Sequence, residues 1–205
     1  MTASQVQPLR RTRDLRWRVV DIVVASVIGV AAALVYFAWN NVYDPITKPL
    51  SLVFPGSQAL LYGIWLIAGV LGGLVIRKPG AALFTELVAA TVSALMGAQW
   101  GFATIQAGLV QGLGAEIVFA AFLYSRWRLP VAMLAGAVAG LAMAINDLLL
   151  WYPGMDASFR IIYGISAVAS GVGIAGIGGW LVARGLAKTG VLSRFAIGRE
   201  STHRV

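Results

Sequence analysis

The chain has 205 residues, 59% of them hydrophobic and 12% charged, with 24 Gly, no Cys and a formal net charge of +8; its mean hydropathy is +0.81. A soluble domain is about 25% charged, so this composition excludes a soluble globular enzyme, a disordered chain and a disulfide scaffold. Without Cys there is no thiol catalysis and no thiolate metal site, and the one His, His203, stands in the polar C-terminal tail, which excludes a multi-histidine metal site. The chain reads as an all-α integral membrane protein.

A hydrocarbon core about 30 Å thick needs about 20 apolar residues in a helix. Six stretches meet this in chain order: Val19–Trp39, Gln58–Ile76, Gly80–Gly97, Ile105–Tyr124, Leu129–Trp151 and Ile161–Ala183. Pro79 and Pro130 fall at helix starts, where a missing N–H costs nothing, and Pro45, Pro49, Pro55 and Pro153 are expected in loops. The organisation expected is a basic tail over 1–18, a six-helix bundle over 19–184 and a second basic tail over 185–205.

Lys and Arg are divided unevenly between the two ends of the spans. Arg10, Arg11, Arg13, Arg16 and Arg18 precede the first, Arg77 and Lys78 follow the second, and Arg126 and Arg128 follow the fourth. Arg184, Lys188, Arg194, Arg199 and Arg204 follow the sixth, whereas only Lys48 and Arg160 fall on the other side, a split of 14 to 2. The positive-inside rule then puts both termini in the cytoplasm and the chain in the cell membrane. That asymmetry accounts for the basic charge without any nucleic-acid partner. Trp17, Trp127 and Trp180 fall at the cytoplasmic interface, and Trp39, Tyr43, Trp100, Trp151 and Tyr152 at the outer one, as aromatic belts do.

Ionisable groups within spans are costly and are functional candidates. Asp21 opens the first helix, where a carboxylate suits the helix dipole. Asn146 and Asp147 lie about one turn from the outer end of the fifth helix. Gln106 lies near the outer end of the fourth, with Gln111 about 8 Å deeper. Gln99 and Trp100 occupy the short turn before it. Together with Trp151 these residues define an outward-facing pocket for a small, flat, partly cationic ligand: Asp147 supplies a negative charge, the amides paired donors and acceptors, and the aromatic faces stacking and cation–π contact. Glu86 and Glu116 fall deeper, in the cytoplasmic half, as ligand contacts, as a proton-sharing pair or relay, or as partners of Arg77 or Arg126. Glu116, about 80° around the helix from Gln106, would close the pocket floor.

Small residues recur every four positions at Ala25, Gly29 and Ala33, and again at Ala132, Gly136, Gly140 and Ala144. Such stripes pack helices closely, and the first could instead face a membrane partner. Gly171, Gly173 and Gly176 match G-x-G-x-x-G but lie inside a span, so no dinucleotide loop is expected. No Walker A, G-x-S-x-G or H-E-x-x-H pattern occurs, and no cofactor is expected. A stand-alone proton-coupled transporter using Glu86, Glu116 and Asp147 is the alternative. An intramembrane enzyme is disfavoured because no G-x-G-D-like motif surrounds Asp147.

The run from Trp65 to Phe84 (WLIAGVLGGLVIRKPGAALF), Gln99-Trp100-Gly101, and the run from Gln111 to Glu116 (QGLGAE) resemble the YkoE family. These are substrate-binding S components of energy-coupling factor (ECF) vitamin transporters, associated with thiamin or its hydroxymethylpyrimidine precursor. The resemblance runs from about Arg16 to Gly185. It implies capture of ligand from outside and delivery through a transmembrane coupling subunit driven by two ABC ATPases, with no catalysis by this chain. It also implies that Ala25, Gly29 and Ala33 meet the coupling subunit, that the stretch 41–57 forms a lid, and that ligand contacts fall at Gln111, at Asn146 or Asp147, and at Tyr163. Several thiamin-binding members carry a Glu and a His near the first two places, where this chain has Gln and Asn.

Overall fold

The computed structural model describes residues 14–202; Arg10, Arg11, Arg13, His203 and Arg204 lie outside the described residues. Among those described there is no strand, and each apolar stretch is helical. Helix α1 spans Val19–Val53, and a 3₁₀ segment over Ser57–Leu66 runs into α2, Ile67–Ile76. α3 spans Ala81–Leu95, α4 Ala103–Ala121 and α5 Leu129–Leu150. α6, Ala157–Ser170, continues through wide π-type turns over Gly171–Gly178 into α7, Gly179–Lys188, and α8 is Ala196–Thr202. Five of these rods are long and apolar enough to cross a membrane, and Ala81–Leu95 is a shorter apolar helix between them.

The first span does not stop at Trp39. Its 35 residues extend about 52 Å at 1.5 Å per residue, well beyond the apolar layer. Pro45 and Pro49 therefore lie inside a helix, and the stretch expected as a lid loop is helical up to Val53. Each proline removes the donor to the carbonyl four residues earlier, here those of Asn41 and Pro45, and both residues are exposed. Tyr43 and Thr47 form the buried face of this extension, with the Thr47 hydroxyl donating to the Tyr43 carbonyl at 2.9 Å.

The basic end of the bundle is tied together by Asp21, which is 0% exposed. Its carboxylate accepts from the Arg18 backbone N–H at 2.7 Å, pairs with the Arg18 guanidinium at 2.8 Å and binds the buried Lys78 ammonium in the α2–α3 turn. Beside it, the Trp17 indole donates to the Pro79 carbonyl at 2.8 Å. The dipole role expected of Asp21 is thus joined by a direct clamp between the start of α1 and the α2–α3 turn. At the opposite end Asp156 caps α6 by accepting from Phe159 N at 3.0 Å, and that bond holds its carboxyl below the usual range.

Helices meet through small residues. A Cβ on Gly136 would lie 2.1 Å from the Gly171 carbonyl oxygen, and one on Gly140 would lie 2.4 Å from that of Ala167. The G-x-G-x-x-G run is thus a crossing point between α5 and the continuation of α6, and its lack of side chains accommodates the wide turns there. Gly63 is pressed against α6 in the same way and donates its N–H to the Ser170 hydroxyl at 2.7 Å.

The first-helix stripe also faces inward, which corrects the expectation that it meets a coupling subunit. Ala25 and Ala33 are 0% exposed, and a Cβ on Gly29 would stand 2.7 Å from Val88 and 2.9 Å from the Thr85 carbonyl of α3. Ala25, Gly29 and Ala33 therefore pack α1 onto α3, while Val23, Val27 and Leu34 form the exposed apolar face of the helix.

Gly29→Leu is expected to lower the thermal midpoint of the detergent-purified protein, because overpacking of this kind costs about 1–3 kcal/mol or more. Gly164→Ala, whose new methyl meets nothing within 4 Å, should leave the midpoint within error. Equal midpoints for wild type and Gly29→Leu would show that α1 and α3 do not pack this closely in solution.

Candidate ligand-binding site

The half of the bundle opposite the basic end encloses a cavity of about 320 Å³, at the lower end of the range usual for small-molecule sites. α1, α3, α4 and α5 each contribute residues spaced three or four apart, so that one face of each is turned to the cavity. α1 supplies Tyr36 and Asn40, α3 supplies Glu86, Ala90 and Ser93, and α5 supplies Met143 and Asp147. α4 adds Thr104, Ala107 and Gln111, and α6 adds Tyr163. The 3₁₀ segment adds Tyr62 and Trp65, and the turns add Trp100, Trp151 and Tyr152.

Glu86, 1% exposed, accepts from the Tyr36 hydroxyl at 3.0 Å and from Gly69 N at 2.6 Å. The Tyr36 oxygen in turn accepts from Ala68 N at 3.2 Å. The start of α2 therefore presents two backbone donors to this corner, one directly to the carboxylate and one through the phenol. Asp147, 7% exposed, accepts from the Tyr163 hydroxyl at 2.7 Å and from the Asn146 amide at 3.1 Å. Asn146 accepts in turn from Gln106 at 2.5 Å. Among the described residues neither carboxylate has an ion-pair partner. Held by neutral donors alone on the wall of an apolar bundle, both carboxyl groups are polar sites that a cationic or hydrogen-bonding ligand can engage.

Two polar side chains on α4 are left open. Gln111, 5% exposed, makes no hydrogen bond among the described residues, and the buried Thr104 hydroxyl has no partner there. Buried polar groups are otherwise nearly always satisfied, so an open amide on a cavity wall is one that a ligand can complete. The aromatic wall is continuous. Trp65 lies 4.8 Å from Tyr43 and 5.3 Å from Trp100 between ring centroids, Tyr62 lies 5.7 Å from Tyr163, and Tyr163 lies 5.2 Å from Tyr152. Bonds from the Trp65 indole to Asn40 at 2.9 Å and from the Tyr43 hydroxyl to that of Tyr62 at 2.8 Å hold the rings in place.

Of the residues expected from sequence, Trp100, Gln111, Asp147, Trp151 and Tyr163 line this cavity. Asn146 and Gln106 stand behind Asp147 and orient it, and Gln99 is exposed in its turn. Glu116 is elsewhere, which corrects its expected place at the pocket floor. Its carboxylate accepts from Gly80 N at 2.6 Å, Ala82 N at 2.9 Å and Leu83 N at 3.3 Å, and from the Tyr124 hydroxyl at 2.7 Å. It therefore caps the start of α3 with a charge suited to the helix dipole, and it shares no hydrogen bond with Glu86. Glu86 forms the floor instead. Tyr36, Asn40, Tyr62, Trp65, Ser93 and Met143 were not anticipated; the four-residue spacings Tyr36/Asn40 and Met143/Asp147 were the available signal.

Comparison with known proteins agrees with this architecture. A solved structure described as an S-component of an ECF transporter matches with a TM-score of 0.85 and 39% identity, covering 92% of this chain and 95% of that one. A Bacillus subtilis (strain 168) protein named as an HMP/thiamine permease, YkoE, is 39% identical over 185 residues, 90% of this chain and 92% of its relative. Residues 20–142 match the family model for the ABC-type cobalt transport system, permease component. The bundle is thus a substrate-binding component of a membrane importer and not an enzyme. The chain belongs to the YkoE family of ECF S components.

Glu116→Ala is expected to destabilise the protein by about 1–3 kcal/mol, because it leaves the first N–H groups of α3 without an acceptor. Ligand affinity of the folded fraction should not change. A loss of affinity at unchanged thermal midpoint would return Glu116 to the binding site.

Proposed function

We propose that the cavity binds thiamin or its hydroxymethylpyrimidine precursor from the outer side of the cell membrane, with both termini in the cytoplasm. The chain then hands its ligand to a transmembrane coupling subunit and its ATPases. The observation that carries this reading is the pairing of an open amide at Gln111 with a cation-free carboxylate at Asp147 across an aromatic cavity. A planar aminopyrimidine offers neighbouring donors and acceptors suited to the amide, and its ring suits stacking on Trp and Tyr faces. A thiazolium cation suits Asp147 beneath the Tyr163–Tyr152 pair. The name of the Bacillus subtilis relative supports the same ligand class.

Cobalt, which the description of the family model mentions, fits less well. Among the described residues no group of three or more His, Cys, Asp or Glu could hold a metal ion, and the cavity wall is largely aromatic. Transition-metal carriage calls for converging nitrogen, sulfur or carboxylate ligands.

Isothermal titration of Asp147→Asn tests the assignment. Thiamin should bind about 1–3 kcal/mol more weakly, as for a lost charge-assisted contact. The neutral hydroxymethylpyrimidine should lose less. Equal losses for the two compounds would show that Asp147 does not read the charge, and unchanged binding of both would remove it from the site.

A further inference from the structure

A second cavity, of about 290 Å³, opens at the basic end of the bundle. It has no part in the site above. Its cations are Arg18, at the start of α1, Arg77 and Lys78, in the α2–α3 turn, and Arg199, on α8. Ile76, Trp127 and Phe195 form its apolar wall. Two of the four cations are themselves buried, Arg77 at 9% and Lys78 at 7% exposure. The carboxylates facing the group are Asp14, on the rim, and Asp21, beneath, which is engaged by Arg18 and Lys78. Among the described residues, four cations meet two carboxylates here.

The cations are held in place by the protein. The Arg77 guanidinium lies 5.4 Å from the Trp127 ring centroid, with its Nε donating to the Leu74 carbonyl at 3.1 Å. Arg18 lies 5.9 Å from the Phe195 ring centroid. Arg77 also adopts a left-handed backbone, φ 59°, where a helix C-terminus ordinarily uses Gly.

We propose that this cavity binds the phosphate of an anionic membrane lipid. Arg forks match phosphate oxygens in geometry as well as charge, and basic pockets among transmembrane helices hold anionic headgroups in this way. A lipid accounts for the wall better than a free anion does. Ile76 is the last residue of the apolar helix α2 and Lys78 follows two residues later, so the cavity lies where the apolar span ends. There a headgroup meets the cations while its glycerol and first methylenes meet Trp127 and Phe195. The proposal is independent of what the first cavity carries.

The test is native mass spectrometry and thermal stability of the full chain in detergent, with phosphatidylglycerol, phosphatidylcholine of the same acyl chains, or inorganic phosphate added. Phosphatidylglycerol should bind in preference to phosphatidylcholine and raise the midpoint. Arg199→Gln should weaken it about tenfold. Arg199 is exposed and its guanidinium donates to the Arg194 carbonyl at 2.7 Å, so folding should survive; Arg199→Lys should recover most of the binding. Arg184→Gln, at the same end but stacked on Trp180, should bind like wild type. Equal binding of the two lipids, or an equal loss in Arg184→Gln, would overturn the proposal. Stabilisation by inorganic phosphate matching that by phosphatidylglycerol would overturn the lipid as the source of the anion.

Discussion

A carboxylate inside a bilayer costs several kcal/mol unless a cation or strong donors hold it. Three are buried among the described residues, at 0%, 1% and 7% exposure, and they are treated differently. Asp21 is neutralised by Arg18 and Lys78 and fastens the basic end. Glu86 and Asp147 receive only neutral donors and face an open cavity. The first is a closed structural contact, whereas the other two are polar groups on a cavity wall that a ligand can engage. That contrast separates scaffold from site more sharply than the depth of the residues does.

Packing explains how the two halves come to differ. Close backbone crossings, such as Gly136 with Gly171 and Gly29 with Thr85, need side chains small enough to vanish, and van der Waals contact is what such crossings contribute in lipid. Where aromatic and polar residues replace the small ones, at Tyr36, Tyr62, Trp65, Trp100 and Tyr163, the helices enclose a cavity. The 3₁₀ stretch carrying Tyr62 and Trp65 is locked by the Gly63–Ser170 contact. The extended α1 carries Tyr43 alongside these rings. Rigid aromatic walls lose little entropy when a flat ligand stacks on them.

Hydropathy made the spans legible, because an apolar run of sufficient length is a direct statement about the solvent around it. It does not say where a helix stops. α1 passes through Pro45 and Pro49 because the carbonyls they orphan are on exposed residues, a tertiary fact that no local rule contains. Asp147 and Gln111 were legible as polar groups in an apolar setting, Gln111 also through family resemblance, and Tyr163 through that resemblance alone. Trp65 and Tyr62 were not, since aromatic residues near an interface have an ordinary explanation of their own. Glu116 shows the limit of depth arithmetic: rise per residue fixed its level, but only the fold shows that the α3 N-terminus lies beside it. The first-helix stripe had two readings, and the position of Val88 decides for internal packing.

The account is tested most directly by intrinsic tryptophan fluorescence of the purified protein titrated with thiamin, alongside Trp65→Phe and Trp100→Phe variants. Both indoles line the cavity, so thiamin should quench saturably in wild type, with a smaller amplitude in each variant. No saturable response, or one whose amplitude is the same in all three proteins, would contradict the claim that the carboxylate-bearing cavity is where ligand binds.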